Sequence, residues 1–213
     1  MNKWNYGGYA GKYDMSEIIR IGTGLVQVHN IFDELPDFMK AADFLFCDPP
    51  CSMSNINSFY TKANRSDYQT SYEPFFNRFW QVVDEIKPRV VAIEIFKSNS
   101  AAMISEGIKR YEHFRVYNST YYHNKKNRCQ IVIFSDDIKK TQYPIEEMDE
   151  QDIIEYLCNN AEYNCIADPC MGQGLVGFYA NKANKRFVGT ELNEKRLAVL
   201  IERINKGKLN IKK

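Results

Sequence analysis

The chain has 213 residues, 44% of them hydrophobic and 14% aromatic, which is enough for one substantial core and too little for two independent domains. Lys and Arg number 28 against 27 Asp and Glu, a formal charge of +1, which excludes a global positive field and leaves any nucleic-acid contact to local basic patches. Six cysteines without a C-x-x-C pair speak against a zinc site or disulfide framework, and no apolar run approaches about 18 residues, so a reduced cytoplasmic protein without metal, export leader or membrane span is expected.

Residues 1–16 are rich in Tyr and Gly and show no period. They read either as a flexible arm that stacks on bases or as a strap packed on the core. A short strand over 25–30, ending in Asn30, and a short amphipathic helix over 31–39 come next. Residues 42–47 form a buried strand that stops at Asp48-Pro49-Pro50-Cys51. From 52 to 72 the composition turns polar, with Phe59 and Tyr60 among Lys62 and Arg65, and a long loop is expected. Mixed basic and aromatic residues suit contact with bases and phosphates, while an ordinary solvated loop explains them equally well.

Residues 73–86 carry helical spacing (Phe75, Phe76, Phe79, Trp80, Val83, Ile86), and Lys87-Pro88 ends it. A strand over 90–96 contains one acid, Glu94, and a helix is expected over 101–111. Strands over 114–117 and 129–134 flank a basic stretch, 121–128, whose Lys125, Lys126 and Arg128 are either a nucleic-acid contact or a charged turn. A helix over 149–159 enters an apolar run that ends in Asp168. A last helix spans 192–206, and the chain closes on Lys212 and Lys213. Alternating strands and helices imply an α/β protein with a mostly parallel twisted sheet and helices on both faces.

Two strand ends carry the chemistry. Asp168-Pro169-Cys170-Met171-Gly172-Gln173-Gly174 is followed about twenty residues later by Phe187-Val188-Gly189-Thr190-Glu191. A strand, a glycine turn, a helix and a second acid in this order form a nucleotide-binding signature, with the glycines admitting a close ligand and the acid reaching ribose hydroxyls. No phosphate cradle accompanies it, and acids at both strand ends would repel pyrophosphate. The ligand expected is a ribose-bearing cation, S-adenosylmethionine.

Asp48-Pro49-Pro50 suits methylation of an aromatic amine, a poor nucleophile because its lone pair is delocalised. A carboxylate and a rigidly held carbonyl can accept both N–H bonds, draw the nitrogen toward tetrahedral geometry and aim its lone pair at the methyl group.

The chain resembles the amino-methylating (adenine-N6 or cytosine-N4) DNA methyltransferases, in the circularly permuted arrangement that puts D-P-P-aromatic before the cofactor motif. The resemblance rests on the run to Asp48-Pro49-Pro50, on Tyr143-Pro144-Ile145-Glu146 as a K-P-x-E-like segment, and on residues 167–196 as D-P-F-x-G-S-G-T and G-x-E-x-N. It implies a Rossmann-like S-adenosylmethionine-dependent methyltransferase fold in one domain, with 52–72 as substrate loop and no separate target-recognition domain. By the resemblance, Asp48, Pro49, Pro50 and Cys51 are the catalytic motif. Asn30, Pro144, Asp168, Cys170, Met171, Gly172, Gly174 and Glu191 would hold the cofactor, with Glu191 on the ribose. Phe59, Tyr60, Lys62, Arg65, Lys125, Lys126 and Arg128 would contact DNA, taken as a single strand or as a duplex with a flipped base, alone or with a second copy or specificity partner.

Two positions depart from that pattern. Cys51 stands where a stacking aromatic is usual and Cys170 where Phe is usual, a loss of about 1–3 kcal/mol of base stacking unless Phe59, Tyr60 or Trp4 supplies the ring. Cys51 also opens rival readings. Pro50-Cys51, Glu94 and Arg128 resemble, in order, the series of cytosine-C5 methyltransferases, in which Cys51 would attack the ring and Glu94 would support it. A catalytically silent methyltransferase-like subunit is the non-enzyme alternative.

Overall fold

The computed structural model describes residues 5–211, so the expectations placed on Trp4, Lys212 and Lys213 lie outside the described residues. Eight strands form one sheet: β1 (Ile19–Ile21), β2 (Gly24–Val28), β3 (Phe44–Cys47), β4 (Val90–Ile95), β5 (His113–Tyr121), β6 (Asn124–Ser135), β7 (Cys165–Asp168) and β8 (Arg186–Glu191). Their order is β1-β2-β8-β7-β3-β4-β6-β5. The five strands β2, β8, β7, β3 and β4 run parallel, with β1 antiparallel at one edge and the β6–β5 hairpin antiparallel at the other. Every residue of β3, β4 and β7 is buried, as continuous apolar runs require in a sheet covered on both faces.

The helices are α1 (Met53–Lys62), α2 (Glu73–Ile86), α3 (Ser100–Gly107), α4 (Glu150–Asn160), α5 (Leu175–Lys182) and α6 (Glu194–Lys206). Alternation along β3 divides the core. Phe44 and Phe46 join Ile153, Leu157, Val176, Leu197 and Leu200 beneath α4, α5 and α6. Leu45 and Cys47 face the other way, toward Ile56, Phe75, Phe79, Trp80 and Met103 of α1, α2 and α3.

This winding places the site. β7 leads through α5 to β8 on one side, whereas β3 leads through α1 and α2 to β4 on the other. The chain therefore diverges between β7 and β3, and a crevice opens beyond their carboxyl ends, where Asp168 and Asp48 sit.

Several local expectations are corrected. Residues 52–72 are not a continuous loop: Ser52 caps α1 by accepting from the Asn55 N–H, and Ile56 and Tyr60, one turn apart, are buried. Residues 31–39 form no α-helix. A turn is followed by a 3₁₀ helix at Asp37–Ala41, with Pro36 at its start. The expected helix over 101–111 ends at Gly107, which lies against the Phe134 ring, where a Cβ would come within 2.2 Å. The two short strands around the basic stretch are one long hairpin, and β1 was not expected at all. Among residues 5–16 the strap reading holds. Tyr9 packs on Ala198 and Val199 of α6, and Lys12 and Tyr13 both donate to Glu202. No helix among the described residues is long and apolar enough to cross a membrane.

Candidate active site

A cavity of about 300 Å³ fills the crevice, within the usual range for small-molecule sites. Ten predicted residues line it: Asn30, Asp48, Pro50, Phe59, Tyr60, Asp168, Cys170, Met171, Gly172 and Glu191. Cys51, Gly174, Pro144 and the buried Pro49 are not among its lining residues.

The glycine turn is built as its sequence requires. Gly172 and Gly174 have φ of +57° and +74°, and a Cβ on Gly172 would come within 2.6 Å of the Arg196 guanidinium. Glu191, buried at the end of β8, ties the turn down: its carboxylate accepts from the Gly172 N–H (2.6 Å) and the Asn193 N–H (2.9 Å). Burial raises its pKa, opposed by Arg196 and those two amides. Asp168 accepts from the Cys170 N–H (3.0 Å), and burial carries its pKa well up. Gly174 serves from outside the wall, as the left-handed residue that starts α5.

The other half of the crevice is a cluster of acids. Asp48 follows β3, Glu94 lies on the neighbouring β4, and Glu150 opens α4; each offers an oxygen within 4.8 Å of the others. Asp48 is exposed at the cavity wall, and desolvation by the groups packed around it raises its pKa to about 6, with Arg196 pulling the other way. Burial and then the Asp48 charge raise Glu150 to about 7. Glu94 is 1% exposed, its Oε2 has no hydrogen-bond partner, and burial followed by the Asp48 and Glu150 charges pushes it to about 11. At neutral pH burial keeps Glu94 a neutral acid beside Asp48 and Glu150, both of which are shifted upward.

This arrangement carries a stability prediction. The folded pKa of Glu94 lies above its unfolded value, so unfolding releases a proton at neutral pH. Stability therefore falls as pH rises from about 4.5 upward. Glu94→Gln removes that term and gives the cluster an amide donor. The variant is expected to melt at least about 3 °C above wild type at pH 8, roughly 1 kcal/mol for a chain of this size, with the gap closing toward pH 4. Calorimetry at the two pH values decides it, and a variant less stable than wild type at pH 8 would refute the protonated assignment.

The D-P-P turn is held from behind. The Tyr72 hydroxyl donates to the Pro50 carbonyl (2.8 Å) and accepts from the Asn99 amide (3.4 Å). Cys51 is half-buried, and its thiol donates to Asn55 Oδ1 (3.0 Å). Burial, followed by the Asp48 charge, raises its pKa.

Several residues expected to meet DNA are otherwise engaged. Tyr60 is buried, and its hydroxyl donates to Asn30 (3.1 Å). Phe59 faces the cations of Arg196 and Lys62, 5.1 and 5.2 Å from its centroid. Arg65 is paired bidentately with Asp67, and Arg128 donates one hydrogen bond to Glu147. Lys125 and Lys126 are exposed on the β5–β6 hairpin. Pro144 is exposed and away from the cavity because Ile145 beside it is the buried anchor, while Glu146 accepts from Asn118. The wall instead gains Phe32, Tyr122, Glu150, Gln151 and Arg196. Of these, Glu150 had a sequence signal: it follows the capping acid Asp149 at the start of a helix that feeds β7.

An open sheet with this strand order and a crevice at the β7/β3 divergence defines a Rossmann-like fold of the methyltransferase type. Solved structures of the same fold include PvuII DNA methyltransferase (cytosine-N4-specific), at 12% identity over 90% of this chain and 89% of that one, TM-score 0.59. M1.HpyAVI is similar at 12% identity over 84% and 97%, TM-score 0.57. The M1.HpyAVI complex with S-adenosylmethionine is similar at 11% identity over 84% and 98%, TM-score 0.54. At these identities the likeness is one of fold. No protein-family model and no curated protein matches the sequence.

Proposed function

We propose that the protein transfers a methyl group from S-adenosylmethionine to an exocyclic amine of a DNA base, adenine N6 in the first instance and cytosine N4 otherwise. The observation that carries this reading is the meeting, in one cavity, of Asp48 beyond β3 with the glycine turn and Glu191 beyond β7 and β8.

The cavity fits the cofactor by its chemistry. Glu191 has acceptor capacity left for ribose hydroxyls after its two amide bonds. Ile31, Phe32 and Leu192 offer apolar surface for a purine, beside Asn30. Asp168, Asp48 and Glu150 favour a cation over a phosphate. When bound, S-adenosylmethionine supplies an electrophilic sulfonium methyl.

Asp48 accepts one N–H of the target amine. Tyr72 holds the Pro50 carbonyl, which leaves the Pro49 carbonyl as the second acceptor. The two acceptors localise the nitrogen lone pair, and their attraction grows as positive charge develops on nitrogen. The bound cofactor would supply the methyl group, its carbon–sulfur bond breaking as the nitrogen–carbon bond forms. The surplus proton passes to Asp48, and Glu150, titrating close to it, can take it onward to water. A base inside a duplex cannot reach this cavity, so duplex substrate requires flipping.

The C5 reading needs a thiolate at Cys51. A raised pKa, a hydrogen bond directed at Asn55 and a place outside the cavity wall all favour the amine reading instead. Nucleoside mass spectrometry on DNA from cells expressing wild type and Cys51→Ser tests this. N6-methyladenine or N4-methylcytosine, present in both, is the expected result. 5-Methylcytosine that disappears in Cys51→Ser would replace the amine reading, and absence of any methylated base with purified wild type and cofactor would leave the silent-subunit reading.

A further inference from the structure

Tyr122 and His123 are the whole turn of the β5–β6 hairpin, between the paired residues Tyr121 and Asn124. Both have positive φ, +60° and +49°. Two-residue hairpin turns of this hand favour Asn-Gly, and a tyrosine in the left-handed region is strained. The strain is held in place by one buried acid. Asp149 accepts from the His123 N–H (2.8 Å) and the Thr120 hydroxyl (3.0 Å), while its other oxygen accepts from the Gln151 N–H (3.2 Å) and caps α4. The hairpin tip is thereby locked to the helix whose first residue, Glu150, belongs to the acid cluster.

The result is an unusual placement for an aromatic ring. Tyr122 is 82% exposed, yet it lines the cavity mouth with Asp48, Pro50 and Glu150. Tyr121 backs it edge-on, with centroids 5.0 Å apart, and Phe96 in turn backs Tyr121 at 5.7 Å. Strain over-determined by its surroundings and spent on presenting a ring at a cavity mouth points to a ligand. Of the other rings that line the cavity, Phe46, Tyr60 and Phe75 are buried, Phe59 faces Arg196 and Lys62, and Phe32 is half-buried on the side given above to the cofactor purine. Position 51, next to the D-P-P turn, has no ring at all.

We propose that Tyr122 stacks on the target base in the cavity and supplies, from the β5–β6 hairpin, the aromatic face that Cys51 cannot. The inference rests on the methyltransferase reading above. Its ligand is the π-face of a nucleobase, so the ring and not the hydroxyl is the working part. Asp149 acts through it as a positioning residue.

The test uses the purified chain, methylation-free plasmid DNA and S-adenosylmethionine, with three variants. Tyr122→Ala is expected to lower kcat/KM for DNA by about 5- to 150-fold, the usual loss on removing one stacking ring, with cofactor affinity unchanged. Tyr122→Phe keeps the ring and should stay within about threefold of wild type. Cys51→Tyr placed in the Tyr122→Ala background should recover part of the lost rate, which a merely structural role for Tyr122 does not allow. A Tyr122→Ala enzyme as fast as wild type, a Tyr122→Phe enzyme as slow as the alanine variant, or a double variant without recovery overturns the proposal. Failure of the wild type to methylate any DNA overturns the parent reading instead, and is distinguished by preceding every comparison among variants.

Discussion

Asp48→Asn abolishes most methyl transfer, by about 10²- to 10³-fold in kcat, and leaves S-adenosylmethionine affinity within about twofold of wild type, since the cofactor's ribose is assigned to a different strand end. The substitution keeps the size of the side chain and changes only what it offers to the amine. An ionised carboxylate presents acceptors alone, whereas an amide exposes two N–H donors that can turn toward the incoming N–H. It also loses the attraction that grows with charge on nitrogen, so the loss falls on kcat more than on KM. The same carboxylate sets the acid limb of the pH profile. Asp48 titrates at about 6, above its ordinary value because the groups packed around it desolvate it. Below that pH it is protonated and no longer a pure acceptor, so kcat is expected to fall as pH drops through about 6 and to level off above it. Glu150 titrates close by, and the limb belongs to the pair rather than to either residue. Single-turnover rates from pH 5 to 9 check both parts. Full activity in Asp48→Asn, or a flat profile through pH 6 in wild type, would remove Asp48 from the reaction.

The strands that bear this site were legible for a physical reason. Buried parallel strands are continuous apolar runs, and β3, β4 and β7 stand out because each stops abruptly, two of them beside an acid. The glycine turn after β7 was legible because it needs φ that glycine tolerates, as at Gly172 and Gly174. What stayed hidden depends on packing and pairing that the residue pattern does not express. α1 is polar on most of its surface and is anchored by Ile56 and Tyr60, which left too weak a period to separate it from a loop. Arg65 and Arg128 read as phosphate contacts in the sequence, which does not show that they also pair with Asp67 and Glu147. The hairpin turn at Tyr122 was invisible because it lacks Asn-Gly, and Asp149, 26 residues downstream of His123, stabilises it. Glu94 was visible as a lone acid on an apolar strand, but its neutral state follows only from Asp48 and Glu150 meeting it.

Glu191→Ala is expected to weaken S-adenosylmethionine binding by about 10²- to 10³-fold. Two effects add. Hydrogen bonds from the ribose hydroxyls to an ionised acceptor contribute about 1.5–3 kcal/mol each. The carboxylate also satisfies the Gly172 and Asn193 amides, and stranding buried N–H groups costs about 1–3 kcal/mol apiece, so the glycine turn loosens and the melting temperature falls. Glu191→Gln separates the two effects. Its single carbonyl can accept from one of the amides while its NH₂ group faces the other, so it should bind the cofactor more weakly than wild type and more tightly than alanine. Arg196 sharpens the expectation, because it opposes the burial that raises the Glu191 pKa. Without a full negative charge at 191 that guanidinium is left less compensated, in a cavity that must accept a cationic ligand. Calorimetric titration of the three proteins decides the order. Cofactor affinity unchanged in Glu191→Ala would mean that the ribose sits elsewhere. If Asp48→Asn loses rate without affinity while Glu191→Ala loses affinity first, the acids at the ends of β3 and β8 hold separate tasks in one cavity, the chemical one beside the base and the binding one beneath the cofactor.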